Sequence, residues 1–510
     1  MNSYSEVAPI DAPIVAERQA AKRHYGVHPY FTRRPYNVVR SYILRYSRED
    51  DLVLDPFGGS GVTAIEAFLE NRVGIQNDIN PLANFIAKGI VDLSRGNISD
   101  YKDALRTLKE KCEAQLLAMQ SMESEELENL CQRLRMPPNI ELPRTSDVAT
   151  YYELFSPRQL TSLAVLKNAI DDISNVWARQ AMLLAWSATL AKLNKTFLSA
   201  EGRADSRGGS SIFSIYRYKI AKNPVELPAW QTFEERAANI VAAKLEIDKT
   251  IEVKRKTGGW NGKFEIYSDD IDALAVRLKD KIDYIFTDPP YGGHISYLDL
   301  STLWNCWLDQ MPGERTSMNE LIVGGEMKIE ESVYVRRLGE AVTHCLNMLK
   351  QGRWLSIVFQ HWNIVYFQAI LASAASHGAE LRAAIPQVGD PIWSMHKKKG
   401  SESVLAGEMI LTFLKTGQCK TKATTNGFDV PDAVRQVLTQ HHGDEVYLES
   451  LFNKIIISAW EKGAIESLSI NKSDFIDLVR QNGWYYNEQR HSWTRGTDHT
   501  QEPLFKTNER

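Results

Sequence analysis

The sequence predicts an α/β fold: a strand–helix core, a large helical insertion within it, and a small α+β module after it. Three observations predict it. Short apolar runs ending in a carboxylate alternate with amphipathic helical stretches from Tyr25 to about Asp92. That alternation resumes at Lys263, after residues 96–260 that read mostly as helices. Residues 417–429 (GQCKTKATTNGFD) then have the composition of a linker.

In chain order, residues 1–24 are a tail, expected to be loose over 1–21. Asp51–Asp55 (DLVLD) is a short buried strand, and Gly61–Asn71 is a helix with Val62, Ile65, Phe68 and Leu69 on one face. Arg72–Asp78 is the next strand. Inside the insertion, Ser156-Pro157 is a helix start, an N-cap followed by proline in the first turn, and Leu160, Leu163, Val165, Leu166 and Ile170 follow it. Glycine and serine break the helical pattern over 202–214. Strands return at Lys263–Asp269 and Ile282–Asp288. A helix from about Glu331 to Leu349 precedes a strand at Arg353–Phe359, and Glu408–Thr416 is the last strand of the sheet. The C-terminal helices begin near Pro431 and Val446 and cover Ser473–Arg480, before a hairpin at 484–495. The expected organisation is thus a tail at 1–24, a core at 25–95 and 262–416, an insertion at 96–261 and an accessory module at 430–510.

Composition narrows the function classes. The charge sum of 60 basic and 64 acidic residues, −4, excludes a histone-like polycation but leaves room for a local basic face. Hydrophobic residues at 43% and charged residues at 24% support a sizeable core and exclude wholesale disorder. Cys112, Cys131, Cys306, Cys345 and Cys419 are scattered, with no CxxC pair, against a zinc ribbon or disulfide framework and in keeping with a reducing compartment. The start, MNSYSEVAPIDAP, has no basic-then-apolar signal, and no segment approaches the roughly 20 apolar residues of a membrane span. A cytoplasmic location without membrane partners is expected.

Two motifs carry chemistry. Asp55-Pro56-Phe57-Gly58-Gly59-Ser60-Gly61 lies between a strand and a helix, where glycines let the backbone bend tightly beside a ligand that faces the helix N-terminus. Asp78 ends the following strand, near the offset of a carboxylate that holds ribose hydroxyls. The spacing is neither GxGxxG nor a P-loop, which favours an adenosine-bearing ligand other than a dinucleotide or ATP. Asp288-Pro289-Pro290-Tyr291 follows a strand and forms a rigid exposed turn with one carboxylate, free carbonyls and one ring. That set suits a flat base bearing an amino group: acceptors take the amino protons and the ring stacks on the base.

Together the two motifs resemble the DNA amino-methyltransferases, the adenine-N6 and cytosine-N4 methylase family. The resemblance implies a Rossmann-like methyltransferase sheet, S-adenosylmethionine at residues 55–61 and Asp78, and the target base at 288–291. His28–Ile43 looks like the segment that closes over the methionine end of the cofactor in that family, and GIQNDINPLA at 74–83 resembles its second motif. YSDD at 267–270 resembles the third, whose carboxylate meets adenine; Asp269 and Asp270 both remain candidates.

The mechanism implied needs no covalent intermediate. The base flips into the pocket. Asp288 and the Pro289 carbonyl accept its amino protons, turning the nitrogen lone pair to the methyl group, and Tyr291 stacks on the ring. Adenine is favoured over cytosine, since aspartate before the two prolines is the usual form in adenine enzymes of the family. The partners implied are double-stranded DNA and components of a restriction or defence system. An RNA base methyltransferase, a non-catalytic nucleic-acid-binding subunit and a protein methyltransferase are the competing readings.

Weaker signals are basic. Arg33, Arg34, Arg40, Arg45 and Arg48, then 254–256 and 397–399, are candidate phosphate contacts, with a solvated face as the alternative. Lys195, Arg203, Arg207 and Arg217 flank the glycine–serine loop, and the insertion is expected to supply much of the DNA recognition surface, with the C-terminal module as the rival. His24 and His28 lack the glutamate and cysteine partners of a metal site, so no metal is expected. Cys306, Trp354, Trp362 and Trp393 are expected in the core.

Overall fold

The structure is a computed structural model and describes residues 3–17, 22–198, 209–293, 295–387, 408–418, 427–441, 443–487 and 492–496. Its centre is a seven-stranded sheet. The strands are β1 (Leu52–Asp55), β2 (Val73–Asn77), β3 (Lys263–Tyr267), β4 (Ile282–Thr287), β5 (Leu349–Phe359), β6 (Ala379–Pro386) and β7 (Met409–Lys415). Their order is β3-β2-β1-β4-β5-β7-β6, parallel except for β7, which runs against both neighbours. The chain lays down β1, β2 and β3 outward in one direction and then returns to the other side of β1 with β4. That reversal opens a crevice at the carboxyl ends of β1 and β4, the place where α/β sheets bind ligands.

Burial explains why these strands read as apolar runs. Helices cover both faces of the sheet, so β1, β2 and β4 are buried almost throughout. Successive residues still part to opposite sides. Val53, Tyr284 and Phe286 join one apolar cluster, while Leu54, Ile285 and Leu355 join the other.

The first face carries α1 (Tyr36–Tyr46), α2 (Val62–Leu69) and α3 (Pro81–Asp92), then the helices of the insertion. The longest of these are α4 (Ile98–Ala118), α5 (Pro157–Asp171), α6 (Val176–Leu190) and the 29-residue α7 (Ala229–Thr257). α5 begins at a reciprocal capping box: Gln159 N donates to Ser156 Oγ (3.1 Å), and Ser156 N donates to Gln159 Oε1 (3.0 Å). The insertion is welded to the core. Tyr151 and Tyr218 donate to the Leu303 and Leu300 carbonyls, and Trp304 Nε1 donates to Ser187 O (3.0 Å).

On the second face lies α8 (Ile271–Arg277); α9 (Tyr297–Asn305) packs with the first face through Leu300, Leu303 and Trp304; α10 (Glu331–Met348) and α11 (Ile364–Ser376) return to the second. The C-terminal helices α12 (Val430–Thr439), α13 (Leu448–Glu461) and α14 (Lys472–Gln481) share this apolar cluster. Trp362 lies 4.7 Å from the Phe452 ring and also meets Phe475. A small sheet of β8 (Glu445–Val446), β9 (Trp484–Asn487) and β10 (Ser492–Arg495) closes the chain, with β10 in the middle; residues 488–491 of the expected hairpin lie outside the described residues.

Two features differ from the sequence expectation. Residues 3–17 are packed and not loose. The Tyr4 ring is sandwiched by Arg48 (4.1 Å) and Arg353 (3.2 Å), its hydroxyl donates to Asp51 (2.7 Å), and Trp354 Nε1 donates to its carbonyl (2.8 Å). Cation–ring contacts between distant segments leave no periodic trace in sequence. β6 and α11 were not anticipated either. β6 is an alanine-rich edge strand, mostly half-buried, so it shows no alternation.

Candidate active site

Asp55 is the last residue of β1. Its buried carboxylate accepts from Phe57 N (3.1 Å), Thr63 Oγ1 (2.9 Å) and Thr287 Oγ1 (2.8 Å), joining β1, α2 and β4. Burial pushes its pKa up to about 7 against those three donors. Asp55 therefore braces the crevice, and its own oxygens are already hydrogen-bonded within the protein.

The glycine turn follows. Gly58 N donates to Asn77 O (2.9 Å) and Gly61 N to Gly58 O (2.8 Å). Gly61 caps α2 with φ 88°, a conformation that favours glycine. A Cβ on Gly58 would stand 2.2 Å from Gln76 Oε1. A side chain at 58 would thus have to displace the buried Gln76 amide of β2, independently of any ligand. Arg33 braces the turn from outside, with Nε on Ser60 Oγ (2.9 Å) and its other nitrogens on the Tyr25 and His28 carbonyls.

Asp78 stands just beyond β2. Its oxygens accept from Gly59 N and Asn80 N, each at 2.8 Å, and burial lifts its pKa to about 6. Asn77 pins the neighbouring loop, donating to the Pro56 and Asp269 carbonyls (3.0 and 3.1 Å) and accepting from Asp269 N (3.0 Å). Asp270 caps α8 through Ala273 N (2.9 Å) and accepts from Asn319 (3.1 Å), so both its oxygens are occupied. Asp269 pairs one oxygen with Arg277 Nε (2.8 Å).

Asp288 follows β4 directly. Arg34 Nε and the Tyr291 hydroxyl donate to its two oxygens. Burial raises its pKa, and Arg34 opposes that rise. The Tyr291 ring meets Phe359 edge-on at 5.2 Å.

One cavity of about 260 Å³ collects these groups. Asp55, Pro56, Phe57, Gly58, Gly59, Ser60, Asp78, Asp269, Asp270, Asp288 and Pro290 all line it. Gly61, Pro289 and Tyr291 stand outside its wall, with Tyr291 tied to it through Asp288. Among the lining residues not foreseen as site residues are Tyr297, Asn319 and the buried Glu320, whose pKa burial pushes up to about 8. Glu320 comes from a loop with no motif.

The weaker basic signals resolve into internal partners. Arg40 and Lys254 both pair with Glu70, Arg45 donates to Ala8 O, and Arg255 lies over Trp260. Lys195 donates to Glu153 O, and Arg217 pairs with Asp147. Arg203, Arg207, residues 397–399, Trp393 and Cys419 lie outside the described residues. The His28 ring bonds Ser187 Oγ (2.9 Å) and Pro29 O (2.6 Å), while His24 faces Glu246 (3.3 Å). Cys306 and Trp354 are buried. Among the described residues, no cluster of three metal-ligating side chains occurs, and no helix is long and apolar enough to cross a membrane.

Comparison with known proteins points to the same family as the motifs do. A family described as DNA methylase matches residues 11–88. The chain is 23% identical over 290 residues to the type II methyltransferase M.MvaI of Kocuria varians, covering 53% of this chain and 54% of that protein. It is 29% identical over 98 residues to the type II methyltransferase M.MjaII of Methanocaldococcus jannaschii, covering 19% and 18%. It is 41% identical over 56 residues to the type II methyltransferase M2.MboI of Moraxella bovis, covering 11% and 20%. The chain thus matches at most about half the length of these relatives.

Proposed function

We propose that this chain, whose likeness to the DNA amino-methyltransferases extends from its motifs to the relatives above, is an S-adenosylmethionine-dependent DNA methyltransferase acting on an exocyclic amine, adenine N6 first. The observation that carries this reading is the shared cavity: the glycine turn after β1 and the Asp-Pro-Pro turn after β4 line the same space at the sheet's reversal point.

The residues present fit the cofactor. Asp78 stands beside the turn where ribose hydroxyls need an acceptor, and Asp269 and Asp270 line the same cavity, where an adenine amino group needs one. Asp269 and Asp270 are both candidates, since a carboxylate oxygen that already accepts one donor can accept a second. When bound, S-adenosylmethionine supplies an electrophilic methyl group. The chain supplies orientation: Asp288 and the Pro289 carbonyl accept the amino protons of a flipped base and so direct its lone pair. Tyr291 offers its ring to the base once its hydroxyl bonds rearrange. The proposed setting is cytoplasmic, on double-stranded DNA, within a restriction or defence system.

Mass spectrometry of digested DNA from cells expressing the protein tests the reaction. N6-methyladenine absent from a null strain is expected. N4-methylcytosine in its place overturns the choice of base, and neither base overturns the reading. In vitro, Asp288→Ala is expected to lose methyl transfer while cofactor affinity in calorimetry changes little. Activity retained within about tenfold, roughly 1.4 kcal/mol of barrier, removes Asp288 from the mechanism.

A further inference from the structure

The partners of Arg34 extend the methyl-transfer reading, on which this inference rests. Arg34 lies in the loop before α1, and its guanidinium meets, among the described residues, partners from distant parts of the chain. Nε donates to Asp288 Oδ2, Nη1 to Glu408 Oε2 and Nη2 to the Tyr291 hydroxyl (3.1 Å). Its central carbon stands 5.9 Å from the Tyr291 ring centroid, and its side chain is 14% exposed.

We propose that Arg34 is a resident stand-in for the target base: it keeps Asp288 charged and oriented before a base enters, then yields that carboxylate to the base's amino group while Glu408 retains the guanidinium. A guanidinium is planar and presents N–H donors, as an amino-bearing base does. It therefore satisfies Asp288 by the bonding the base will use, beside the ring the base will meet. The three-way fork makes exchange feasible, since release of Asp288 leaves Arg34 with Glu408 and Tyr291.

The charge balance around Asp288 shows why a placeholder is needed. Asp55 at the end of β1, Glu408 ahead of β7, and the hydroxyls of Tyr291 and Tyr297 face it along with Arg34. Burial and Glu408 favour the protonated carboxyl, and Arg34 opposes them. A protonated Asp288 presents a donor where the amine needs an acceptor. Arg34 is thus a positioning residue acting through Asp288.

The test is transfer of tritiated methyl from S-adenosylmethionine to genomic DNA of a strain without base methylation, across about pH 5–9. Wild type is compared with Arg34→Met, Arg34→Lys and Glu408→Gln. The acid limb of kcat/KM reports the free enzyme's carboxylate. Arg34→Met should move that limb upward by roughly 1–3 pH units, and Arg34→Lys should recover part of the shift. Glu408→Gln should move it downward, because a competing anion is gone, and should raise KM for DNA, because the displaced guanidinium loses the charge of the Glu408 carboxylate. A merely structural role moves neither limb. An unmoved limb in Arg34→Met, or in Glu408→Gln if the former does not fold, overturns the proposal. Wild-type protein that binds cofactor yet transfers nothing to DNA overturns the methyl-transfer reading, and the inference falls with it.

Discussion

Four of the carboxyl groups around one cavity have environments that separate their roles. Asp55 is enclosed by hydroxyl and amide donors and braces two strands; Asp288 faces a guanidinium; Asp78 accepts two backbone amides and lines the space where an adenosine ribose is proposed. Glu320 accepts from Leu298 N (3.1 Å), and burial pushes its pKa up to about 8. Asp78 makes a pH prediction with a definite sign. Its pKa is raised to about 6, and the ionised form is the better acceptor of hydroxyl protons. Cofactor affinity is expected to hold above that pH and to fall as pH drops through it. Asp78→Asn should weaken binding by ~1.5–3 kcal/mol, the range for a hydrogen bond to a charged group, and should flatten the acid-side dependence. Calorimetry over this range checks both, and a pH dependence unchanged in Asp78→Asn assigns the titration to another group.

At the scale of elements, β2 packs closely against α2, the helix that the glycine turn after β1 opens. A Cβ on Gly74 would stand 2.0 Å from the Ala64 carbonyl oxygen, a backbone atom that cannot swing aside. Gly74→Ala is therefore expected to destabilise the fold by ~1–3 kcal/mol through overpacking, although residue 74 does not line the cavity. Denaturant unfolding measures it, and stability equal to wild type would mean that the two elements slide apart freely. The same geometry explains what was legible in the sequence. β1, β2 and β4 are buried on both faces, so each reads as an apolar run, and the turns that follow β1 and β4 carry their chemistry in consecutive residues. The Ser156 cap was legible because its partner lies three residues away. β6 was not, since a half-buried alanine-rich edge strand has no pattern. Nor was the role of Arg34, which lies 254 residues from Asp288 and 374 from Glu408. In sequence it is one arginine of a basic stretch, and only folding shows that its charge points inward.

For the whole molecule, the proposed reaction raises the question of which part would read DNA beyond the flipped base. The crevice cavity is proposed to hold the flipped base, and specificity needs contacts to neighbouring base edges and phosphates as well. The insertion is continuous with the first face of the sheet, so its surface is held rigidly against the rim of the crevice by Tyr151, Tyr218 and Trp304. The C-terminal module shares the apolar cluster of the opposite face. That sharing rules out deletion after residue 429 as a clean comparison. Removing Phe452 and Phe475 would strip cover from Trp362, and an absence of DNA binding would then report failed folding. Surface charge reversal avoids this. Arg203→Glu with Arg207→Glu tests the insertion's glycine–serine loop, and Arg435→Glu with Lys454→Glu tests exposed positions on α12 and α13. We expect the first pair to weaken binding to unmodified DNA and to lower the salt slope by about 1 for each phosphate no longer neutralised, and the second pair to do neither. The reverse pattern, measured by titration at several salt concentrations with cofactor affinity as the folding control, moves recognition to the C-terminal module.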